Sequence, residues 1–244
     1  MKVDFFIAGV QKGGTTSTAR QLGSVPGVFI PPRELHFFDR TDFNADYSSY
    51  HDSYREAVGL LKGDKTPSYC YLAFAMHRIR EYNPEARLII LLREPVSRAF
   101  SQWNMAVQTG HTTLDFIPSI RSVQSIRLED IRENGYFALQ RGFYIDQINL
   151  AVSLFGRSNL HIAISEAILA NPEREYQRMF AFLGLTTLSG RLDFDPGIHR
   201  RTYSRALTRE EFMYLYEIYK PYNRRLYEYL GGEISEWEAI YRNY

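Results

Sequence analysis

The stretch Gly9-Val10-Gln11-Lys12-Gly13-Gly14-Thr15-Thr16 places glycines, a lysine and two threonine hydroxyls directly after the apolar run Val3–Ala8. Glycines let backbone amides converge on an anion, and the N-terminus of a following helix adds its dipole. Gly9 and Gly14 keep the spacing of a nucleotide P-loop, but Thr15 stands where that loop has its lysine, and Lys12 lies inside the loop instead. A second anion site follows the run Ala86–Leu92. Arg93 offers a forked donor suited to phosphate, and Ser101 comes eight residues later, about two helical turns, where it can face the same anion. A nucleotide hydrolase commonly has a magnesium-holding carboxylate at such a strand end. Two basic sites on neighbouring strands suit a ligand with two separated anionic groups better than a triphosphate on magnesium. Glu34 and His36, in the segment Pro31–Asp39, are two candidates for a general base. Lys65, within Gly63–Tyr69, is a second cation for the reacting group. Each has a plainer reading: a glycine turn without ligand, an Arg93 ion pair, a surface pair of Glu34 with Arg33, a structural His36 beside two phenylalanines, a solvated Lys65.

The elements that must carry these residues alternate between strand and helix. Val3–Ala8 reads as a buried strand, with a helix over Thr15–Leu22 after the loop. A short strand ends at Pro31 and Pro32, another lies before Pro67, and Ala86–Leu92 has the continuous apolar, β-branched character of a buried parallel strand. A helix ends before Pro84, another starts at Pro95, and others are expected over Ile126–Glu133, Phe143–Phe155 and Pro172–Phe182, with a strand over Asn159–Ser165. Asp42–Tyr54 reads as an irregular excursion. The late amphipathic stretch Thr208–Gly231 contains Pro221, where it should kink or split. The pattern predicts an α/β domain spanning 1–244, three-layered and P-loop-like, with a central, mainly parallel sheet flanked by helices. Ligands on such sheets bind at the carboxyl ends of strands, which places the site after Ala8, Ile30, Lys62 and Leu92.

Bulk properties narrow the partners. With 29 basic and 28 acidic residues the net charge is +1, so neither nucleic acid nor an acidic membrane is drawn by the chain as a whole. No apolar stretch approaches a membrane span, and Asp4 interrupts the first apolar run, unlike a signal peptide. The one cysteine, Cys70, allows no internal disulfide. These features lead to the expectation of a soluble cytoplasmic protein.

Taken together, the motifs resemble the sulfotransferases that use 3'-phosphoadenosine 5'-phosphosulfate, and within them the heparan sulfate and Golgi carbohydrate branch with its bacterial relatives. The first loop of that family, K-x-G-T-[TS], is met by Lys12-Gly13-Gly14-Thr15-Thr16, and its R-[DE]-P followed by serine by Arg93-Glu94-Pro95 and Ser101. The heparan branch's E-[LV]-H-F-F-D is met by Glu34–Asp39, and its [ED]-K-[TS]-P-x-Y by Asp64–Tyr69. Order and spacing agree over roughly the first 105 residues. Further on, Arg141-Gly142-Phe143-Tyr144 resembles the R-G-x-Y segment, and His199–Thr208 the basic segment that closes over the cofactor. The family's tryptophan after R-G-x-Y, its paired cysteines and the glycine before the closing arginines are absent here. The resemblance implies that Lys12, Gly13, Gly14, Thr15 and Thr16 bind the 5'-phosphosulfate, that Arg93 and Ser101 bind the 3'-phosphate, and that Tyr144, Arg200, Arg201 and Tyr203 complete the cofactor site. It implies Glu34 as the base that takes the acceptor proton, His36 as the second candidate or as the group orienting Glu34, and Lys12 and Lys65 as stabilisers of the transferred and leaving groups, with no metal required. The acceptor is expected to be a carbohydrate or small-molecule hydroxyl, and the balanced charge favours a smaller or neutral one over a heparan-type polymer.

The alternative is a P-loop kinase or nucleotide hydrolase acting on ATP, with Asp64 or Glu166 as the magnesium carboxylate. A sulfotransferase fold kept as a binding module is a further rival, set against the retention of Lys12, Glu34, Lys65, Arg93 and Ser101.

Overall fold

A computed structural model describes residues 1–124, 137–185, 203 and 205–244. The expected helix over Ile126–Glu133 and the residues Arg200 and Arg201 lie outside these. Five strands, β1 (Phe5–Gly9), β2 (Val28–Phe29), β3 (Leu61–Lys65), β4 (Arg87–Leu92) and β5 (Leu160–Ile164), form one parallel sheet in the order β2-β3-β1-β4-β5. The chain passes from β1 to β2 at one edge, returns to place β3 between them, and then crosses β1 to start the other side with β4. The crevice between β1 and β4 is therefore the topological switch point, where such sheets receive ligands.

Alternation along β1 and β4 explains the layers. Phe6, Ala8, Leu88, Ile90 and Leu92 point to one face, where helices α3 (Ala73–Tyr82) and α6 (Tyr144–Phe155) cover them. Phe5, Ile7, Ile89 and Leu91 point to the other, against α1 (Thr15–Gly23) and α8 (Pro172–Leu183). Both faces are buried, which is why these strands are apolar throughout. A third cluster joins α4 (Pro95–Gln108), α5 (Phe116–Gln124) and α9 (Arg209–Leu230). Ser165–Ala170 forms the short helix α7 after β5, and Ser235–Tyr241 forms α10, whose Trp237 is fully buried.

Three expectations are corrected. Strand β3 runs on to Lys65, three residues past the anticipated end, so Lys65 is itself the strand-end residue. The segment 42–54 is not wholly irregular: Ser48–Asp52 forms a helical turn, α2, because Tyr50 buries its ring against Phe37, at 4.7 Å between centroids, and Tyr82. Pro221 does not split α9, which continues over 22 residues. The helix keeps Phe212, Leu215, Tyr219 and Leu226 on one buried face, with a Thr208–Glu211 capping box at its start and Gly231 in the left-handed conformation at its end. Tertiary packing of that face outweighs the missing amide hydrogen.

Candidate active site

The loop after β1 is held open from below. Val10 N donates to Leu91 O at 3.0 Å, Gly13 N to Val10 O at 2.9 Å, and Ser165 Oγ to Gly13 O at 2.6 Å. Gly13 lies so close to β4 that a Cβ there would sit 2.5 Å from Leu91 O, and Gly14 takes φ +87° as it starts α1. These are the two places where the loop requires glycine. No side chain caps α1, whose first-turn residues Thr15 and Thr16 face a cavity of about 470 Å³ together with Lys12 and Arg20.

The opposite wall comes from β4 and α4. Glu94 is fully buried and caps α4 by accepting from Val96 N at 2.9 Å and Ser97 N at 2.7 Å, with Pro95 in the first turn. This cap fixes the helix phase that brings Ser101 and Met105 to the cavity alongside Arg93. Arg93 Nη1 donates to Lys12 O at 3.3 Å, which ties the two basic sites together. Lys12, at φ +72°, directs Nζ to Met105 Sδ at 3.7 Å. Tyr203 lines the same cavity and packs its ring against Phe100 at 5.6 Å. Tyr144 does not line it. Its buried hydroxyl donates to Arg93 O at 2.7 Å, so it supports the strand end that carries Arg93 from behind.

Glu34 reaches this cavity from the segment after β2. Its Oε1 accepts from Lys65 Nζ at 2.8 Å and its Oε2 faces His36 Nε2 at 3.2 Å. Lys65 is 5% exposed, so the carboxylate covers a buried ammonium and Lys65 is not the solvated lysine of the plainer reading. His36 Nδ1 pairs with Asp39 Oδ2 at 2.8 Å, and Ser68 Oγ donates to the same oxygen. Burial alone would raise the Glu34 pKa, but the hydrogen bonds from His36 and Lys65 outweigh it and hold the carboxyl below its ordinary value. His36 is pushed up to about 10 by its hydrogen bonds to Asp39 and Glu34, against the opposing effect of burial. Both ring nitrogens lie within hydrogen-bond distance of a carboxylate, an arrangement that favours the imidazolium, which would donate to Asp39 and to Glu34.

The two carboxylates open to a magnesium role are engaged elsewhere. Asp64 is fully buried, accepting from Tyr50 Oη at 2.9 Å, Tyr69 Oη at 3.2 Å and Thr66 Oγ1 at 2.8 Å. Burial raises its pKa to about 6 in spite of these donors. Glu166 accepts from Glu94 N at 2.9 Å and Trp237 Nε1 at 3.0 Å.

Tyr69 is the link between Asp64 and the base segment. Its hydroxyl donates to Asp64 and accepts from Phe37 N at 3.1 Å, so it braces the turn that presents Glu34 and His36. Tyr69→Phe leaves a buried amide and a carboxylate short of a partner, and is expected to cost about 1–3 kcal/mol of stability and to lower turnover without changing nucleotide affinity. Tyr54→Phe removes a comparable buried hydroxyl, which donates to Gly63 O at 3.1 Å and not to the base segment. It should lower stability and leave turnover intact; thermal unfolding with steady-state rates on both variants checks this.

The structure thus brings Lys12, Gly14, Thr15, Thr16, Glu34, Arg93, Ser101 and Tyr203 to one cavity, with Gly13 beneath the loop and Lys65 and His36 gripping Glu34. Sequence reasoning passed over Arg20, Gln11 and Met105 on the cavity wall, and Asp39, Ser68 and Tyr69 behind Glu34. Arg20 had a signal, since it follows Thr16 by four residues on one helix face. The Asp39 and Ser68 contact crosses 29 residues and had none.

An anion loop and a strand-end arginine at the switch point of a parallel sheet, with a carboxylate between cations facing the same cavity, fit a group-transfer site for an anionic donor. Comparison with known proteins makes the class specific: the sulfotransferase domain family matches residues 2–201, and the chain belongs to that family. It is 28% identical over 259 residues to heparan sulfate glucosamine 3-O-sulfotransferase 3A1 of Mus musculus, which covers 96% of this chain and 64% of that protein. It is 28% identical over 255 residues to heparan sulfate glucosamine 3-O-sulfotransferase 6 of Homo sapiens, covering 94% of this chain and 72% of that protein. The chain therefore spans a little under two thirds of the first of these relatives. A sulfotransferase structure from Alicyclobacillus acidocaldarius superposes with a TM-score of 0.82 at 25% identity, over 98% of this chain and 99% of that one. No helix among the described residues is long and apolar enough to cross a membrane.

Proposed function

We propose that this chain transfers a sulfuryl group from 3'-phosphoadenosine 5'-phosphosulfate to a hydroxyl of a carbohydrate or small-molecule acceptor. The observation that carries the reading is the placement of Glu34, a carboxylate held by two cations, on the wall of the cavity that the anion loop, Arg93 and Ser101 also line. A carbohydrate acceptor is supported by the family membership and by the names of the similar proteins.

The donor set fits the nucleotide. The glycine-floored loop leaves room for a phosphate to approach backbone amides, the uncapped start of α1 offers further amide donors, and Lys12, Thr15, Thr16, Arg20, Arg93 and Ser101 all present donors to one cavity. Its volume, about 470 Å³, is in the range of small-molecule sites. When bound, the nucleotide supplies an activated sulfuryl group whose bond to the 5'-phosphate breaks as the new oxygen–sulfur bond forms. Lys12 and the first-turn amides hold the 5' end and stabilise the negative charge that develops on the departing phosphate oxygen. Arg93 and Ser101 hold the 3'-phosphate. Glu34 accepts the acceptor's hydroxyl proton as the new bond forms, and His36 and Lys65 keep its carboxylate aimed.

The nucleotide reading is tested by thermal unfolding. Adenosine 3',5'-bisphosphate in the presence of a chelator is expected to raise the melting temperature. ATP with magnesium should do so only if the kinase reading is correct, and stabilisation by ATP with magnesium alone overturns the proposal.

A further inference from the structure

The cavity behind the anion loop has two sides, set by the strand order β2-β3-β1-β4-β5. Arg93 at the end of β4, Ser101 on α4 and Tyr203, which packs on Phe100 of α4, line the β4 side. Glu34, bonded to Lys65 at the end of β3, and Pro67, two residues past that end, line the β3 side. The nucleotide assigned above has its anionic groups on the loop and on the β4 side. The acceptor hydroxyl must meet Glu34, on the β3 side.

Arg20 belongs to the β3 side. Thr16, Arg20 and Gly23 are exposed and follow one another by four and three residues, so they form one stripe along α1. That stripe turns toward β2, since a Cβ on Gly23 would lie 3.9 Å from the Cβ of Ile30. Ile30 directly follows β2 and precedes Glu34 by four residues. Strand β2 lies beyond β3, on the opposite side of β1 from β4. Arg20 stands one turn nearer the loop than Gly23, and so lines the cavity where Glu34 does.

The cations near Glu34 differ in what they hold. Lys65 and His36 both pair with Glu34 itself. The Arg20 guanidinium makes no hydrogen bond or ion pair among the described residues. An arginine offers a fork of parallel N–H donors, which matches the paired oxygens of a carboxylate or a sulfate ester. Set without an acid of its own where the acceptor must lie, that fork suits a negative group on the acceptor. The balanced net charge of the chain does not weigh against this, because the attraction is local.

We propose that Arg20 is a specificity-determining residue for the acceptor: it grips an anionic group, a carboxylate or a sulfate ester, carried beside the hydroxyl that meets Glu34. This inference rests on the sulfuryl-transfer reading and narrows it to acidic acceptors. The test uses the full chain loaded with adenosine 3',5'-bisphosphate, and three β-linked glucose disaccharides that differ at one C6. That carbon carries a hydroxymethyl, a carboxylate or a sulfate ester. In NMR titrations at least one acidic form should bind the parent chain about tenfold more tightly than the neutral form, the weight of one charge-assisted pair. The tighter of the two acidic forms tells which anionic group is read. Arg20→Gln should abolish the preference, and Arg20→Glu should reverse it, so that the neutral form binds best. Position 20 is exposed, so both variants should fold, which thermal unfolding checks, and both should bind adenosine 3',5'-bisphosphate as the parent does. Equal binding of the three sugars, no binding of either acidic form, a neutral preference in the parent, or an acidic preference that survives both substitutions would overturn the proposal. So would a loss of nucleotide affinity in folded Arg20→Gln, which would assign Arg20 to the donor. Failure of the parent chain to bind adenosine 3',5'-bisphosphate would instead strike the transfer reading itself.

Discussion

Glu34→Gln is expected to lower sulfuryl-transfer turnover by roughly 10²–10⁴-fold, the usual weight of a positioned acid–base group, and to leave affinity for adenosine 3',5'-bisphosphate unchanged. The carboxylate sits between Lys65 and the His36 imidazolium, and both hydrogen bonds hold its pKa below the ordinary value. In the resting site it is thus a weak base. In the proposed reaction it gains a proton only when the attacking oxygen has begun to bond to sulfur and its hydroxyl has become acidic. Glutamine keeps the shape but cannot take that proton. It also removes the negative charge facing buried Lys65, so some stability is lost, and unfolding must be measured beside the rate. Loss of both activity and nucleotide binding would indicate misfolding, whereas near-full activity in a folded variant would sink Glu34 as the base. The pH dependence follows from His36. Its folded pKa, about 10, lies above its ordinary 6.5, so its stabilising contribution is complete below 6.5 and is lost as pH rises through about 10. Turnover should therefore hold at neutral pH and fall toward pH 10 as Glu34 loses its orienting donor, with the fall absent from nucleotide binding.

What the sequence made legible has a physical pattern. Strands β1 and β4 are buried on both faces, so their apolar runs announced them, and the residues at their carboxyl ends, Lys12 and Arg93, fell at the switch point as parallel-sheet geometry requires. Glu94 and Pro95 signalled the start of α4 and hence the phase of Ser101. Contacts made across the sheet edge were not legible. Lys65 could be placed near the reacting group from its motif, but its partner Glu34 lies 31 residues away on another segment, and no periodicity links them. Asp64 read as an open carboxylate because nothing local shows that Tyr50 and Tyr69 bury it. The α2 turn was missed for the same reason: its helix rests on Tyr50 packing against Phe37 and Tyr82, and its own sequence gives no helical period. Pro221 misled in the opposite direction, since local propensity argued for a break that the buried face of α9 overrides.

Lys12→Ala and Arg93→Ala are expected to separate turnover from affinity. Lys12 stands inside the loop and lines the cavity, with Nζ 3.7 Å from Met105 Sδ, which puts an ammonium where the proposed reaction makes the departing phosphate more negative. Removing one such preorganised donor costs turnover about 10²–10³-fold, with a smaller effect on nucleotide affinity. Backbone strain does not confound the comparison, because alanine at position 12 meets the same φ of +72° that the lysine does. Arg93, assigned to the 3'-phosphate, makes an interaction present before and during transfer. Its loss is uniform binding, and Arg93→Ala should weaken adenosine 3',5'-bisphosphate by about 2–5 kcal/mol while turnover at saturating donor changes less. The two effects will not be independent. Arg93 Nη1 donates to Lys12 O at 3.3 Å, so Arg93→Ala also frees the loop that presents Lys12. A double-mutant cycle should therefore show a coupling energy of about 0.5–3 kcal/mol in turnover. Additive losses would mean the loop is held by Val10, Gly13 and Ser165 alone, and an affinity loss confined to Lys12→Ala would mean the two phosphate sites are assigned the wrong way round.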